Sequence, residues 1–223
     1  MSLGSNKPMD IFAGWEDYVE RLQAHWQQMV AEEDTVVLVG DTSWGMSLDE
    51  CKKDFAFLQQ LPGQKFLIKG NHDYWWTTAA KMTQYLETLG FSTLRFLHNN
   101  FVPCGSVALC GTRGWMMEPT QAHEAKIMAR EVIRLKLSLE AACQWQKDAE
   151  KLVFLHYPPI HPGSFFPGII EAMWQYGVKR CFYGHLHAQT IKKAIQGPVQ
   201  GVDYTLISAD ALGFKPLEIT CKR

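Results

Sequence analysis

The sequence predicts an α/β protein, on three observations. Short β-branched or apolar runs alternate with helix-periodic segments along the whole chain. Most such runs are four or five residues long and stop at a polar loop, as a buried parallel strand does. No low-complexity tract, internal repeat or linker interrupts the alternation, so residues 1–223 are expected to form one domain.

The elements follow in order. Trp15, Tyr18, Val19, Leu22, Trp26, Met29 and Val30 recur at helical spacing and predict a helix over about 15–30. Thr35–Val39 reads as a strand stopped by Gly40-Asp41. A helix is expected from about Leu48 to Gln60, closed by Leu61-Pro62-Gly63, then a strand Lys65–Lys69 running into Gly70-Asn71-His72-Asp73. Ala79–Leu89 reads as a helix ended by Gly90, and Phe101-Val102 and Val107–Cys110 as strands. The longest helical pattern spans about Gln121–Glu150, where Met128, Val132, Leu135, Leu139 and Ala142 form an inward stripe. A coiled-coil seam has the same spacing, but packing on the domain's own sheet is the simpler expectation. Lys151–Leu155 reads as a strand leading to His156, Ile169–Tyr176 as a helix, and Lys179–Tyr183 as a strand ending in Gly184-His185-Leu186-His187. Strands near Tyr204–Ser208 and Pro216–Thr220 are expected to close the chain.

Composition narrows the function classes. The formal net charge is −1, and no basic cluster marks a nucleic-acid surface. Trp75, Trp76 and Trp115 are accordingly read as packing aromatics rather than base-stacking ones. No apolar run approaches the roughly 18 residues of a membrane span, and Met1–Asp10 lacks the apolar core of a signal peptide, so a cytoplasmic location is expected. The six cysteines are scattered singly, which fits neither a disulfide framework nor a thiolate metal site; Cys104, Cys110 and Cys181 are expected to be buried thiols.

The chemistry concentrates where strands end. Asp41, Asn71-His72-Asp73, His156, and His185 with His187 each follow an apolar run directly. Ligands of α/β proteins gather at the carboxyl ends of strands, so these loops are expected to converge. Alone, Asp41 reads more readily as a helix cap, Asn71–Asp73 as an ordinary turn, and a single histidine such as His25, His98 or His123 as a satisfied side chain. The ordered set of a carboxylate, an amide and imidazoles, without thiolate, suits a divalent metal. Arg113, in Gly111-Thr112-Arg113-Gly114-Trp115, offers a fork of donors for a phosphate, with a surface ion pair as the alternative.

Gly40-Asp41-Thr42-Ser43-Trp44, Gly70-Asn71-His72-Asp73-Tyr74-Trp75-Trp76 and Gly184-His185-Leu186-His187, in this order, resemble the calcineurin-like metallophosphoesterases, a bacterial subgroup of phosphohydrolases in particular. The resemblance covers essentially the whole chain. It implies a four-layer αββα sandwich and metal-dependent hydrolysis of a small-molecule or protein phosphate ester at a dinuclear site. Manganese, iron, zinc and cobalt all fit the donors. By the resemblance Asp41 bridges two metals, Asn71, His156 and His185 complete one of them, and His187 belongs to the other. His72 contacts the phosphate and protonates the leaving oxygen, oriented by Asp73. The family's first strand ends in Asp-x-His, and no Asp-x-His precedes Asp41. The expectation is therefore a sandwich without its first strand, one bound metal and impaired turnover. The alternative is a metal- or phosphate-binding protein without turnover.

Overall fold

A computed structural model describes residues 1–4, 6–116 and 122–221. The chain divides into two compact units, residues 1–96 with 209–218 and residues 97–208 with 219–223.

The first unit is built on a parallel three-stranded sheet ordered β1-β2-β3, where β1 is Thr35–Leu38, β2 Gln64–Leu67 and β3 Leu94–Phe96. Helices α1 (Tyr18–Met29), α2 (Lys52–Gln60) and α3 (Ala79–Thr88) belong to it. Their inward residues Trp26, Phe55, Leu58, Met82 and Leu86 share one core with Leu67, Leu94 and Phe96. Trp26 is able to be buried because its Nε1–H donates to the Pro62 carbonyl at 2.9 Å. Thr78 caps α3, and Gly90, at φ 70°, ends it. Trp75 and Trp76 are packing aromatics, as expected from the sequence.

The second unit carries a six-stranded sheet ordered β10-β11-β9-β6-β5-β4. Its strands are β4 (Phe101–Cys104), β5 (Val107–Thr112), β6 (Glu150–Leu155), β9 (Arg180–Tyr183), β10 (Gly197–Val199) and β11 (Val202–Leu206). β5, β6, β9 and β11 are mutually parallel, while β4 and β10 join antiparallel at the two edges. A two-residue hairpin pairs β7 (Ile160–His161) with β8 (Ser164–Phe165). Helix α4 (Ala122–Trp145) buries Leu135, Leu139 and Ala142 with Ala108, Cys110, Val153 and Leu155, and helix α5 (Pro167–Gln175) adds Ile169 and Met173. The inward stripe of α4 thus packs within its own unit rather than in a coiled coil. Gln121, its expected first residue, lies outside the described residues.

Both units are α/β, as the alternation predicts. Four readings need correction. Pro216–Thr220 is not a strand: Pro216 offers no N–H to a ladder, Leu217 and Glu218 are exposed, and the Thr220 carbonyl accepts from Arg180 Nη1 at 3.0 Å. Residues 146–150 do not continue α4, since Glu150 already opens β6. Short β3, β7, β8 and β10 were not foreseen; each is two or three residues long, below the length at which periodicity registers. Cys104 is only half-buried, whereas Cys51 is buried with Cys110 and Cys181, and all six thiols are free.

Candidate functional site

In the first unit the parallel strands β1 and β2 release their loops at the same sheet edge, and those loops carry Asp41 and Asn71-His72-Asp73. The loops are tied through carboxylates. Asp73 is buried, and its Oδ2 accepts from the Asp41 N–H at 2.9 Å and the Gly70 N–H at 2.7 Å. Its Oδ1 accepts from the Ser43 N–H at 3.2 Å and the Trp75 Nε1–H at 3.1 Å. Asp41 Oδ1 accepts in turn from the His72 N–H at 2.8 Å. Burial, with the Asp41 carboxylate beside it, pushes the Asp73 carboxyl up to about 6, against the pull of the Gly70 and Ser43 amides.

Two backbone features show how tightly the first edge is built. Asp41 has φ 53°, a left-handed conformation that costs energy in most residues but is visited by aspartate. Gly70 is required by contact: a Cβ there would lie 2.0 Å from Asp41 Oδ1 and 2.2 Å from Asp41 N.

Against the ring of His72 lies the indole of Trp44, stacked at 4.3 Å with an interplanar angle of 15°. Tyr74 meets the same ring edge-on at 6.1 Å. The sequence expectation that Asp73 orients His72 is corrected here, because among the described residues the Asp73 carboxylate accepts from Asp41, Gly70, Ser43 and Trp75.

In the second unit β5, β6 and β9 are adjacent and parallel, so Arg113, His156 and His185 emerge at one edge. His156 is buried, and its Nε2 lies 3.2 Å from His185 Nδ1. The Arg113 carbonyl accepts from the His156 N–H at 3.1 Å and the Tyr157 N–H at 2.9 Å, which fixes the start of the His156 loop. His185, like Asp41, is left-handed, at φ 69°. His187 leads a short 3₁₀ turn, Ala188–Lys193, and its N–H donates to Thr190 Oγ1 at 2.8 Å.

Arg113 is not a surface ion pair. Its side chain is 17% exposed, its guanidinium carbon lies 4.6 Å from the Trp115 ring centre, and its Nη2 is 4.0 Å from Glu131 Oε1. Glu131 is fully buried, accepts from Thr112 Oγ1 at 2.6 Å and pairs with Arg134 at 2.6 Å. Arg113 Nε and Trp115 Nε1 are buried donors without a partner among the described residues. Donors left so usually mark an anion or water site. The sequence reading passed over Glu131, although it falls on the inward stripe, three residues after Met128 and four before Leu135. Of the histidines without sequence context, His25 bonds the Phe214 carbonyl through Nδ1 at 3.1 Å, and the His123 side chain lies outside the described residues.

The donors at the two edges, an aspartate, an asparagine amide and imidazoles, fit a divalent ion that accepts oxygen and nitrogen ligands. An α/β protein with such donors at the ends of parallel strands has the organisation of a metal-dependent hydrolase. Residues 10–189 match the family described as calcineurin-like phosphoesterase, and the chain belongs to that family. Membership carries metal-dependent hydrolysis of phosphate esters in general terms. Among solved structures, a protein of unknown function, AQ665 from Aquifex aeolicus, is similar with a TM-score of 0.49 and 12% identity over 94% of this chain and 85% of that one. No curated protein matches the chain. No described helix is long and apolar enough to cross a membrane.

Proposed function

We propose that this chain, as a single catalytic domain, hydrolyses a phosphate monoester or diester with the help of divalent metal. Asp41 and Asn71 of the first unit and His156, His185 and His187 of the second serve as the ligands. The observation that carries the reading is the His156–His185 pair, two imidazole nitrogens 3.2 Å apart at the ends of neighbouring parallel strands. It is supported by the family match over residues 10–189 and by the carboxylate Asp41, held in a left-handed turn against Gly70.

Divalent metal, when bound, supplies Lewis-acid polarisation of the phosphoryl oxygens and activation of the attacking water. The remaining work falls to side chains of this chain. Arg113, whose buried Nε has no partner among the described residues, binds a phosphoryl oxygen and is kept in place by Glu131 and Trp115. His72 donates a proton to the leaving oxygen as the P–O bond breaks and its electron pair passes to that oxygen. Asp73 holds the Asp41 and Gly70 loops together.

Asp41, Asn71, His156 and His185 would hold one ion, and His187 would contribute, with Asp41, to a second. The near-neutral charge favours a small-molecule or protein phosphate ester over nucleic acid. The test is hydrolysis of an activated aryl phosphate under manganese, iron, zinc or cobalt supplementation, with and without chelator. Chelator-sensitive turnover is expected. Stoichiometric metal binding without any turnover would replace this reading with that of a binding protein.

A further inference from the structure

We propose that Trp44 is a positioning residue for the general acid: its indole face sets the plane of the His72 imidazole so that the ring N–H points at the leaving oxygen. The inference deepens the phosphoesterase reading and rests on the role given there to His72.

The main chain of His72 is fixed on both sides, since its N–H donates to Asp41 Oδ1 at 2.8 Å and its carbonyl accepts from the Tyr74 N–H at 2.9 Å. That leaves the side-chain torsions to be set by what touches the ring. The contacts are aromatic: Trp44 face to face at 4.3 Å and 15°, and Tyr74 edge to face at 6.1 Å and 80°. The neighbouring carboxylate does not do this work, because the Asp73 oxygens are taken by Asp41, Gly70, Ser43 and Trp75.

Trp44 is itself held. Its N–H donates to the Met1 carbonyl at 2.9 Å, and its carbonyl accepts from Lys7 Nζ at 3.4 Å. Its ring packs against the small cluster of Met9, Tyr18 and Phe214. The preceding residue, Ser43, is buried and bonded to both Asp73 and Asp54. A half-buried tryptophan anchored at backbone and ring, next to a half-buried histidine, is a rigid wall rather than a surface aromatic. Tyr74 is more than half exposed and is the weaker wall, so the constraint resides mainly in Trp44.

A positioned acid matters in proportion to the need for leaving-group protonation. An alkoxide leaves badly unless protonated, whereas a nitrophenolate leaves without help. The experiment therefore uses a graded series from dinitrophenyl and nitrophenyl phosphate through phenyl phosphate to an alkyl phosphate, with the wild type, Trp44→Phe, Trp44→Leu and His72→Ala. Trp44→Leu is expected to lower kcat for the alkyl ester by roughly 10²-fold, the lower end of a general acid's contribution, while barely changing the dinitrophenyl ester and KM. Trp44→Phe keeps a flat face and should restore most of the alkyl activity. An independent readout is NMR of the histidine rings: in the wild type the His72 ring protons should be shifted upfield by the indole, and in Trp44→Leu that shift should vanish.

Absence of the upfield shift in the wild type would overturn the proposal, whether or not the variants fold. A loss in Trp44→Leu that is equal across the series would do the same. If His72→Ala is graded with leaving group and Trp44→Leu is not, the positioning role fails and the phosphoesterase reading stands. If His72→Ala is itself ungraded, the acid role of His72 fails first.

Discussion

Replacing Gly70 with alanine adds one carbon at the place where the β1 and β2 loops approach most closely. The added Cβ would stand 2.0 Å from Asp41 Oδ1 and 2.2 Å from Asp41 N, against an ordinary contact near 3.4 Å, so a shift of more than 1 Å is required. The side-chain oxygen can rotate away, but the backbone nitrogen cannot. Moving it disrupts the Gly70–Asp73 and Asp41–Asp73 bonds, at 2.7 and 2.9 Å, and the His72–Asp41 bond at 2.8 Å. Overpacking alone costs about 1–3 kcal/mol. Two hydrogen bonds to carboxylate contribute about 1.5–3 kcal/mol each. With two of the three bonds lost, a total of about 4–9 kcal/mol is expected, a large share of the roughly 5–15 kcal/mol that holds a domain together. The matched control is Gly90→Ala, where nothing lies within 4 Å of the new Cβ and only the φ of 70° is unfavourable. That change should cost about 1 kcal/mol. Urea denaturation of the three proteins measures the difference. A Gly70→Ala protein as stable as Gly90→Ala would refute the close-packed loop junction.

The remaining expectations concern buried charges and the proposed acid. Lys65 is fully buried, and desolvation lowers its pKa from 10.5 to about 8. Between those values the unfolded chain binds the proton and the folded chain does not, so this group makes stability rise with pH from about 8 to 10.5, by roughly 3 kcal/mol at most. Lys65→Met should remove that rise in urea midpoints and be more stable than wild type at pH 7. Glu131→Gln leaves Arg134 and Arg113 without their buried carboxylate and should destabilise by about 3 kcal/mol while weakening inhibition by inorganic phosphate. His72→Ala should lower turnover of an unactivated ester by roughly 10²–10⁴-fold with metal content unchanged by elemental analysis. A parallel loss of metal would make His72 a ligand instead.

Much of this organisation is legible in the sequence because buried parallel strands write themselves as apolar runs. β1, β2, β5, β6 and β9 were placed to within about two residues of where they lie, and with them the loops bearing Asp41, Asn71, His156 and His185. What escaped is of two kinds. Pairings of two or three residues, such as β3 and the β7–β8 hairpin, depend on a neighbour supplied by the fold rather than on any local period. Contacts between side chains distant in sequence escaped as well. The stacking of Trp44 on His72 joins two loops, and nothing in either loop announces it. The same holds for Glu131 beneath Arg113, and for Asp73, whose four donors come from both loops and not from the histidine beside it.

The central claim is the proposed role of Asp41 and His156 as ligands of divalent metal. Titration of manganese into the metal-free chain, followed by electron paramagnetic resonance, tests it most directly when run on Asp41→Asn, from the first unit, and His156→Ala, from the second. Tight manganese binding in the wild type is expected, weakened by at least tenfold in each variant, since each removes a proposed ligand. Tight manganese binding that survives both substitutions, or that is lost in one and untouched in the other, would contradict it.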